Sequence, residues 1–276
     1  MKLFEPGKIG TLNIKNRIVM ASMGNIGLVE LDGRFSPRGV EYFIARAKGG
    51  VGLITTGCVL VDNIAEKKVE DYWSMMPRID HDRFISRMSE LADAIHDYGA
   101  RLSLSLTGGY GRVISRKIFS AAAQPVGPSR LPWLWDNSIT TRELTIPEIE
   151  IIVRGFELAA ERAKRAGVDA IEIHGHEGYL IDQFMTALWN KRTDKYGGDL
   201  EGRLRFAVEI IGAIKRGAGN DFPVIFRYGG KHHIQGGRDV EESQEIAKRL
   251  EKAGADALHI DAGCYEADVP DSFLWK

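Results

Sequence analysis

The sequence has few of the features that mark secreted, membrane-spanning or nucleic-acid-binding proteins. Only two of its 276 residues are cysteines, Cys58 and Cys264, which is too few for a disulfide framework and predicts a reducing, intracellular setting. No apolar stretch approaches the roughly 20 residues of a membrane helix, and residues 1–6 lack the apolar run of a signal peptide. The net charge of −1 gives no support for binding to nucleic acid or to a membrane surface. We therefore expect a cytoplasmic protein.

Two nucleotide-binding signatures are also missing. Residues 23–27, Met-Gly-Asn-Ile-Gly, follow the first apolar run but have neither the spacing nor the helix start of a dinucleotide-binding turn. A P-loop sequence is absent as well. These absences argue against a doubly wound sheet of the dinucleotide-binding type.

What the sequence does contain is a regular alternation of short apolar runs and helical patterns. The apolar runs predict strands buried on both faces, at residues 17–21, 51–56, 101–107, 170–174, 223–227 and 257–261. The helical patterns lie between them, at residues 36–48, 81–98, 145–166, 201–216 and 239–253. Ser36 and Thr145 are predicted N-caps, and Gly99, Gly167 and Gly254 are predicted to end helices before a strand.

This alternation predicts a parallel α/β fold, with a TIM (β/α)8-type barrel favoured and a doubly wound sheet as the alternative. The sequence provides six strand–helix units, whereas a barrel of this type has eight. We therefore expect residues 1–276 to form a single incomplete barrel domain without strands seven and eight.

One connection in this pattern is unusually long. Residues 108–145 far exceed the usual strand-to-helix loop of about 2–6 residues, and they include Trp133 and Trp135. We interpret this segment as a lid over the C-terminal ends of the strands. The tryptophans are expected either to contact an apolar ligand or to anchor the lid, and the sequence does not decide between these roles.

In parallel barrels the active site lies where the strands end. The predicted strand ends carry hydrogen-bonding groups and a cation, but no nucleophile–base pair, no paired carboxylates and no residues at metal-ligand spacing. We therefore predict a site without a metal, in which a cofactor performs the difficult step.

The segment from Ile171 to Phe206 carries the most specific motif. Its characteristic residues are His174, Gly178-Tyr179-Leu180, Gln183-Phe184, Arg192-x-Asp194-x-Tyr196-Gly197-Gly198 and Arg203-Leu204-Arg205-Phe206. The pattern resembles the old yellow enzyme family of NADH:flavin oxidoreductases, and the similarity extends over essentially the whole chain. Within that family it is most similar to the branch of 2,4-dienoyl-CoA reductases, 2-enoate reductases and bile-acid ene-reductases.

The resemblance implies roles for residues that would meet the substrate. Tyr179 corresponds to the tyrosine that protonates the α-carbon, and His174 to a residue that binds the carbonyl oxygen. Glu177 occupies a second substrate-binding position where histidine or asparagine is common, and Tyr265 lies near a position occupied by histidine in dienoyl-CoA reductases. The tyrosine at position 265, in place of that histidine, favours a simple enoate or enone as the substrate.

The resemblance also implies FMN as cofactor and NADH or NADPH as reductant. The residues expected at the flavin are Ala21, Ser22, Met23, Gly57, Ser105 and Arg227. Ser105 replaces a common glutamine, whereas Arg227 matches a cation beside the flavin pyrimidine edge. A 4Fe-4S cluster and FAD are expected only in a longer parent protein or a partner chain. The chain alone is expected to bind FMN weakly or not at all, because the family binds the phosphate through strands seven and eight.

The predicted activity is therefore the reduction of an alkene conjugated to a carbonyl or carboxyl group. Two alternatives remain open at this point. One is a same-barrel amine dehydrogenase or demethylase, and the other is a truncated, non-catalytic remnant. The sequence also leaves open whether the chain forms a homo-oligomer or pairs with a partner chain that completes the barrel.

Overall fold

The computed structural model describes residues 1–66, 76–115 and 124–267 of the chain. A short antiparallel hairpin, β1 (Gly7–Ile9) and β2 (Leu12–Ile14), precedes a six-stranded parallel sheet. The strands of that sheet are β3 (Val19–Met20), β4 (Leu53–Leu60), β5 (Arg101–Thr107), β10 (Ala170–Gly175), β11 (Val224–Gly229) and β12 (Ala257–Asp261). The helices are α1 (Pro37–Lys48), α2 (Ile85–His96), α3 (Ile146–Arg165), α4 (Leu180–Met185), α5 (Leu200–Ala218) and α6 (Val240–Ala253).

The order of the strands across the sheet identifies the architecture. It runs β12-β11-β10-β5-β4-β3, and every pairing is parallel. Each strand therefore lies beside the strand of this sheet that precedes it in the sequence. A doubly wound sheet reverses direction at a switch point, and this sheet has none. The prediction of six parallel strands is confirmed, and the sheet is wound in one direction, as in a (β/α) barrel.

The two faces of the sheet carry different residues because side chains alternate along a strand. Leu102, Leu104 and Leu106 of β5 pack into the large core shared with the helices. On the opposite face, the strand beginnings Leu53, Ala170 and Ile225 form a smaller apolar cluster with Ile14 of the hairpin. This cluster fills the N-terminal half of that face of the sheet. The C-terminal half of the same face carries polar side chains.

The helix ends were predicted from capping residues, and the structure shows capping interactions at these ends. The Ser36 side chain accepts a hydrogen bond from the Gly39 amide, with Pro37 in the first turn. Thr145 and Glu148 form a reciprocal capping box at the start of α3. Gly254 ends α6 in a left-handed conformation, at φ of 107°. None of the helices in the described ranges is long and apolar enough to cross a membrane.

In the long connection after β5, both tryptophans are hydrogen-bonded to the backbone of the turn that follows that strand. It contains the short strands β6 (Val126–Gly127), β7 (Pro132–Trp133), β8 (Asp136–Thr140) and β9 (Arg142–Glu143). The indole of Trp133 donates to the Ile114 carbonyl at 2.8 Å, and that of Trp135 donates to the Val113 carbonyl at 3.0 Å. Both tryptophans therefore anchor the connection to the turn after β5, while residues 116–123 of the connection lie outside the described ranges.

Candidate active site

The C-terminal ends of neighbouring strands bring the predicted site residues together. His174 of β10 and Arg227 of β11 are directly paired in the sheet register, and Cys58 of β4 is paired with Ser105 of β5. These side chains lie on the face opposite the leucines of β5, because they alternate with core residues along their strands. The ends of four strands thus supply one polar surface.

A cavity of about 290 Å³ opens at this surface. The residues that line it are Ser22, Met23, Gly24, Cys58, Met76, Tyr110, His174, His176, Glu177, Tyr179, Arg227 and Tyr265. A larger depression of about 640 Å³ lies between residues 30–35 and the helices α1 and α2. Among the described residues, none that lines the larger depression has a buried polar atom without a hydrogen-bond partner, whereas His174 and His176, which line the smaller cavity, each have a buried Nε2 without one. The smaller cavity is therefore the candidate active site.

Tyr179 stands at the turn that follows β10 and is only 9% exposed. Glu177 in the same turn has a φ of 57°, a left-handed conformation that is uncommon for glutamate. The Tyr179 hydroxyl lies 3.2 Å from that of Tyr265, and the Tyr110 ring packs at 4.9 Å. Burial, together with the neighbouring Tyr265, raises the pKa of Tyr179 well above its ordinary value. The phenol is therefore protonated at neutral pH and available as a proton donor.

His174 packs perpendicular to Tyr179, with 4.6 Å between the ring centroids. Its Nδ1 lies 3.3 Å from the Cys58 sulfur, whereas its buried Nε2 has no hydrogen-bond partner among the described residues. Burial lowers the pKa of His174 well below its ordinary value, and the neighbouring His176 and Arg227 lower it further. The ring is therefore neutral and carries a single proton.

Arg227 connects the two outer strands of the sheet. Its Nε donates to Asp261 at the end of β12 over 3.0 Å, and its Nη1 donates to the Ser22 carbonyl after β3 over 3.0 Å. Asp261 also lies 2.6 Å from Nδ1 of His176. Burial alone raises the pKa of Asp261, but the interactions with His176 and Arg227 more than offset this and lower the pKa. A fixed cation thus stands at the cavity wall.

The predicted site residues fall into two groups by position. Seven of them line the cavity, namely Ser22, Met23, His174, Glu177, Tyr179, Arg227 and Tyr265. The others lie beside it: Ala21 is exposed, Ser105 is fully buried with an unpartnered hydroxyl, and the Gly57 amide donates to the side chain of Asn25.

Three further residues that contact the predicted site residues were given no role from the sequence. Cys58 contacts His174, Tyr110 packs on Tyr179, and Asp261 holds both Arg227 and His176. All three occupy or follow a strand end, so their positions gave a signal. Potential metal ligands also converge here, although their spacing did not indicate it. The ligand atoms of His174, His176 and Glu177 lie within 4.8 Å of one another, and this is the only such group in the described ranges.

Gly57 gives a first testable prediction. A Cβ at this position would lie 2.0 Å from the Met23 carbonyl oxygen and 2.6 Å from the Asn25 amide nitrogen. Because backbone must move to relieve such a clash, we expect Gly57→Ala to lower the free energy of unfolding by about 1–3 kcal/mol in denaturant titrations. The matched control is Gly24→Ala, where an added Cβ meets nothing within 4 Å and the change should stay within about 0.5 kcal/mol. Equal effects in the two variants would contradict the predicted clash.

Nearly the whole chain is similar in sequence to known flavin oxidoreductases. Residues 2–270 match the profile of the NADH:flavin oxidoreductase / NADH oxidase family. A cinnamate reductase of Clostridium sporogenes is 44% identical over 289 aligned residues, which cover 99% of this chain and 42% of that protein. An NADH oxidase of Thermoanaerobacter brockii is 45% identical over 265 residues, which cover 96% of this chain and 40% of that protein. The chain thus spans less than half the length of these two relatives.

A similar solved structure is a 2-naphthoyl-CoA reductase in complex with 2-naphthoyl-CoA. It superimposes with a TM-score of 0.85 at 30% sequence identity, over 98% of this chain and 42% of that one. The similarity therefore includes the strands, the helices and the strand-end turns described above.

Proposed function

Since the chain belongs to the NADH:flavin oxidoreductase / NADH oxidase family, known as the old yellow enzyme family, we propose that it is the FMN-dependent part of an ene-reductase. Its substrate is an alkene conjugated to a carbonyl or carboxyl group, and its reductant is NADH or NADPH. One observation carries this proposal. A hydrogen-bonding imidazole, His174, and a protonated phenol, Tyr179, meet with their rings 4.6 Å apart in a cavity that also contains a fixed cation.

The polar surface at the strand ends fits the ring system of a flavin. The Ser105 hydroxyl is buried without a hydrogen-bond partner, and the heteroatom edge of a flavin offers acceptors and donors for such groups. Arg227 provides the positive charge that stabilises an anionic reduced ring. We assign Ala21, Ser22, Met23, Gly57, Ser105 and Arg227 to this cofactor. When bound to these residues, FMN would supply the hydride-transfer chemistry that links the nicotinamide cofactor to the alkene.

The chain's own residues then act on the alkene. His174 donates from Nε2 to the carbonyl or carboxyl oxygen, where negative charge develops during the reduction. Tyr179 transfers its phenolic proton to the α-carbon. Because the Tyr179 hydroxyl lies 3.2 Å from the hydroxyl of Tyr265, a residue that is 42% exposed, the proton is replaced from the side of Tyr265.

Glu177 and Tyr265 complete the substrate end of the cavity. A carboxylate accepts hydrogen bonds and does not donate them, so Glu177 does not share the role of His174. Its backbone carbonyl instead accepts from the Tyr265 amide at 3.4 Å, which holds the segment with Tyr265 against the turn with Tyr179. The similarity to a cinnamate reductase supports a 2-enoate as the substrate class.

The proposal is tested by supplying the purified protein with saturating FMN and following two signals under anaerobic conditions. We expect a bound-flavin absorption spectrum, and NADH or NADPH consumption that depends on cinnamate and yields one saturated acid per nicotinamide oxidised. The saturated acid, 3-phenylpropanoate, serves as the control that should support no consumption. A flavin-loaded protein that does not consume nicotinamide when cinnamate is added, or one that oxidises amines and leaves the enoate unchanged, would overturn the proposal.

A further inference from the structure

Cys58 reaches the cavity only because β4 contains an irregularity. The register between β4 and β5 pairs Thr55 with Ser103 and then Cys58 with Ser105, so that two residues of β4, Thr56 and Gly57, stand opposite one residue of β5. A bulge of this kind shifts the alternation of side chains by one position. Cys58 consequently lies on the cavity face, beside His174.

The contact between Cys58 and His174 has a preferred direction. The Cys58 sulfur lies 3.3 Å from Nδ1 of His174. A cysteine thiol carries its proton at neutral pH, so the Cys58 sulfur can act as an S–H donor. Sulfur is a weak acceptor, whereas an unprotonated imidazole nitrogen accepts readily. The favourable arrangement is therefore an S–H that donates to Nδ1.

A hydrogen bond of this direction decides where the single proton of His174 resides. If Nδ1 accepts, the proton is on Nε2. The Nε2 atom is buried, has no hydrogen-bond partner in the described ranges, and belongs to a side chain that lines the cavity. We propose that Cys58 is a positioning residue that fixes His174 in its Nε2–H form and thereby directs a donor into the cavity.

The consequence for activity rests on the proposed function, but the state of the imidazole does not. In the ene-reductase, an Nε2–H donates to the oxygen of the substrate, whereas the opposite form would present a lone pair and repel that oxygen. Cys58 acts through His174, so that its loss changes the fraction of protein with the productive imidazole.

The test is the ¹⁵N NMR spectrum of His174 in protein with labelled histidine, assigned by its loss in His174→Gln. In the unmodified protein we expect Nε2 to be pyrrole-like and Nδ1 to be pyridine-like. Cys58→Ala should move both signals toward their average, because the hydrogen bond that stabilises the Nε2–H form is then lost. Cys58→Ser should keep the original pattern, since a hydroxyl also donates, and Cys264→Ser is the control that removes the other thiol without touching His174.

A parallel measurement separates this inference from the proposed function. Alkene reduction by Cys58→Ala should fall roughly threefold to tenfold in kcat, the effect of one hydrogen bond, and Cys58→Ser should recover most of it. An unchanged imidazole spectrum in a folded Cys58→Ala variant would overturn the role of Cys58. Normal selection of Nε2–H in a protein that reduces no alkene would instead overturn only the ene-reductase function.

Discussion

Replacing Asp182 with asparagine is expected to lower the free energy of unfolding by about 3–5 kcal/mol, the effect of breaking a buried ion pair. Asp182 is fully buried in α4, and its carboxylate contacts Nη2 of Arg238 at 2.8 Å and Nε2 of His232 at 3.2 Å. Because Arg238 is also fully buried, loss of the carboxylate leaves a guanidinium charge without a counterion. Equilibrium unfolding in denaturant measures the difference.

The matched control removes an acidic charge from an exposed pair. Glu245 lies 2.6 Å from Lys248 on α6, with both side chains more than half exposed, and Glu245→Gln should change the stability by less than about 1 kcal/mol. Similar losses of unfolding free energy in the two variants would show that the buried ion pair of Asp182 and Arg238 contributes no more to stability than an exposed pair.

The stability difference should also depend on pH. Burial by itself raises the pKa of Asp182, but the Arg238 guanidinium and the hydrogen bond from His232 more than offset it and hold the pKa well below its ordinary value. A lowered folded-state pKa gives stability that is fully present above about pH 4, the unfolded value, and is lost as the pH falls toward the folded value. The difference between the native chain and Asp182→Asn should therefore be constant from about pH 5 to 7 and shrink below about pH 4.

The buried group of Asp182, Arg238 and His232 also supports the candidate site. The Gly178 amide donates to Asp182 at 2.9 Å, immediately before Tyr179 in the chain. Trp189 packs on the His232 ring and donates to Glu266, next to Tyr265. The ion pair therefore holds both segments that bring the two tyrosine hydroxyls together, so Asp182→Asn should weaken activity at temperatures where the fold remains intact.

The sequence predicted those parts of the molecule whose signals are local. The six strands were recognised because each is a short apolar run, and the N-caps at Ser36 and Thr145 because the capping residue adjoins the helix it starts. The position of the site followed from the rule that parallel strands end at one edge of the sheet. That rule requires no knowledge of which side chains touch.

The features that sequence reasoning missed depend on distant contacts. Asp182 and Arg238 are 56 positions apart, and nothing near either residue indicates that both are buried. The bulge at Thr56 and Gly57 arises because Gly57 lies against Met23 and Asn25, more than 30 positions away, and its consequence is the contact between Cys58 and His174. Register and ion pairing are tertiary properties, and one sequence without its folded neighbours does not specify them.

Replacing Tyr179 with phenylalanine is expected to slow alkene reduction by about 10²- to 10⁴-fold, the usual contribution of a positioned proton donor. The substitution removes one hydroxyl and keeps the ring, so the contacts with Tyr110 and His174 are retained. Reduction of the protein-bound flavin by NADH should be unchanged, because that step needs no proton from Tyr179. Stopped-flow absorbance, with the two half-reactions measured separately, tests both parts of the prediction.

The control for this experiment is the other hydroxyl of the same pair. Tyr265→Phe leaves Tyr179 in place and removes only its hydrogen-bond partner at 3.2 Å, so the loss should be limited to about tenfold or less. If Tyr265→Phe is the more damaging change, the proton comes from Tyr265 and the roles of the two residues are reversed. If neither substitution slows the alkene step while both proteins still accept hydride from NADH, the substrate is not protonated by this pair. Tyr179 would then be a packing residue, and an amine or another compound that needs no proton donor would become the better candidate for the substrate.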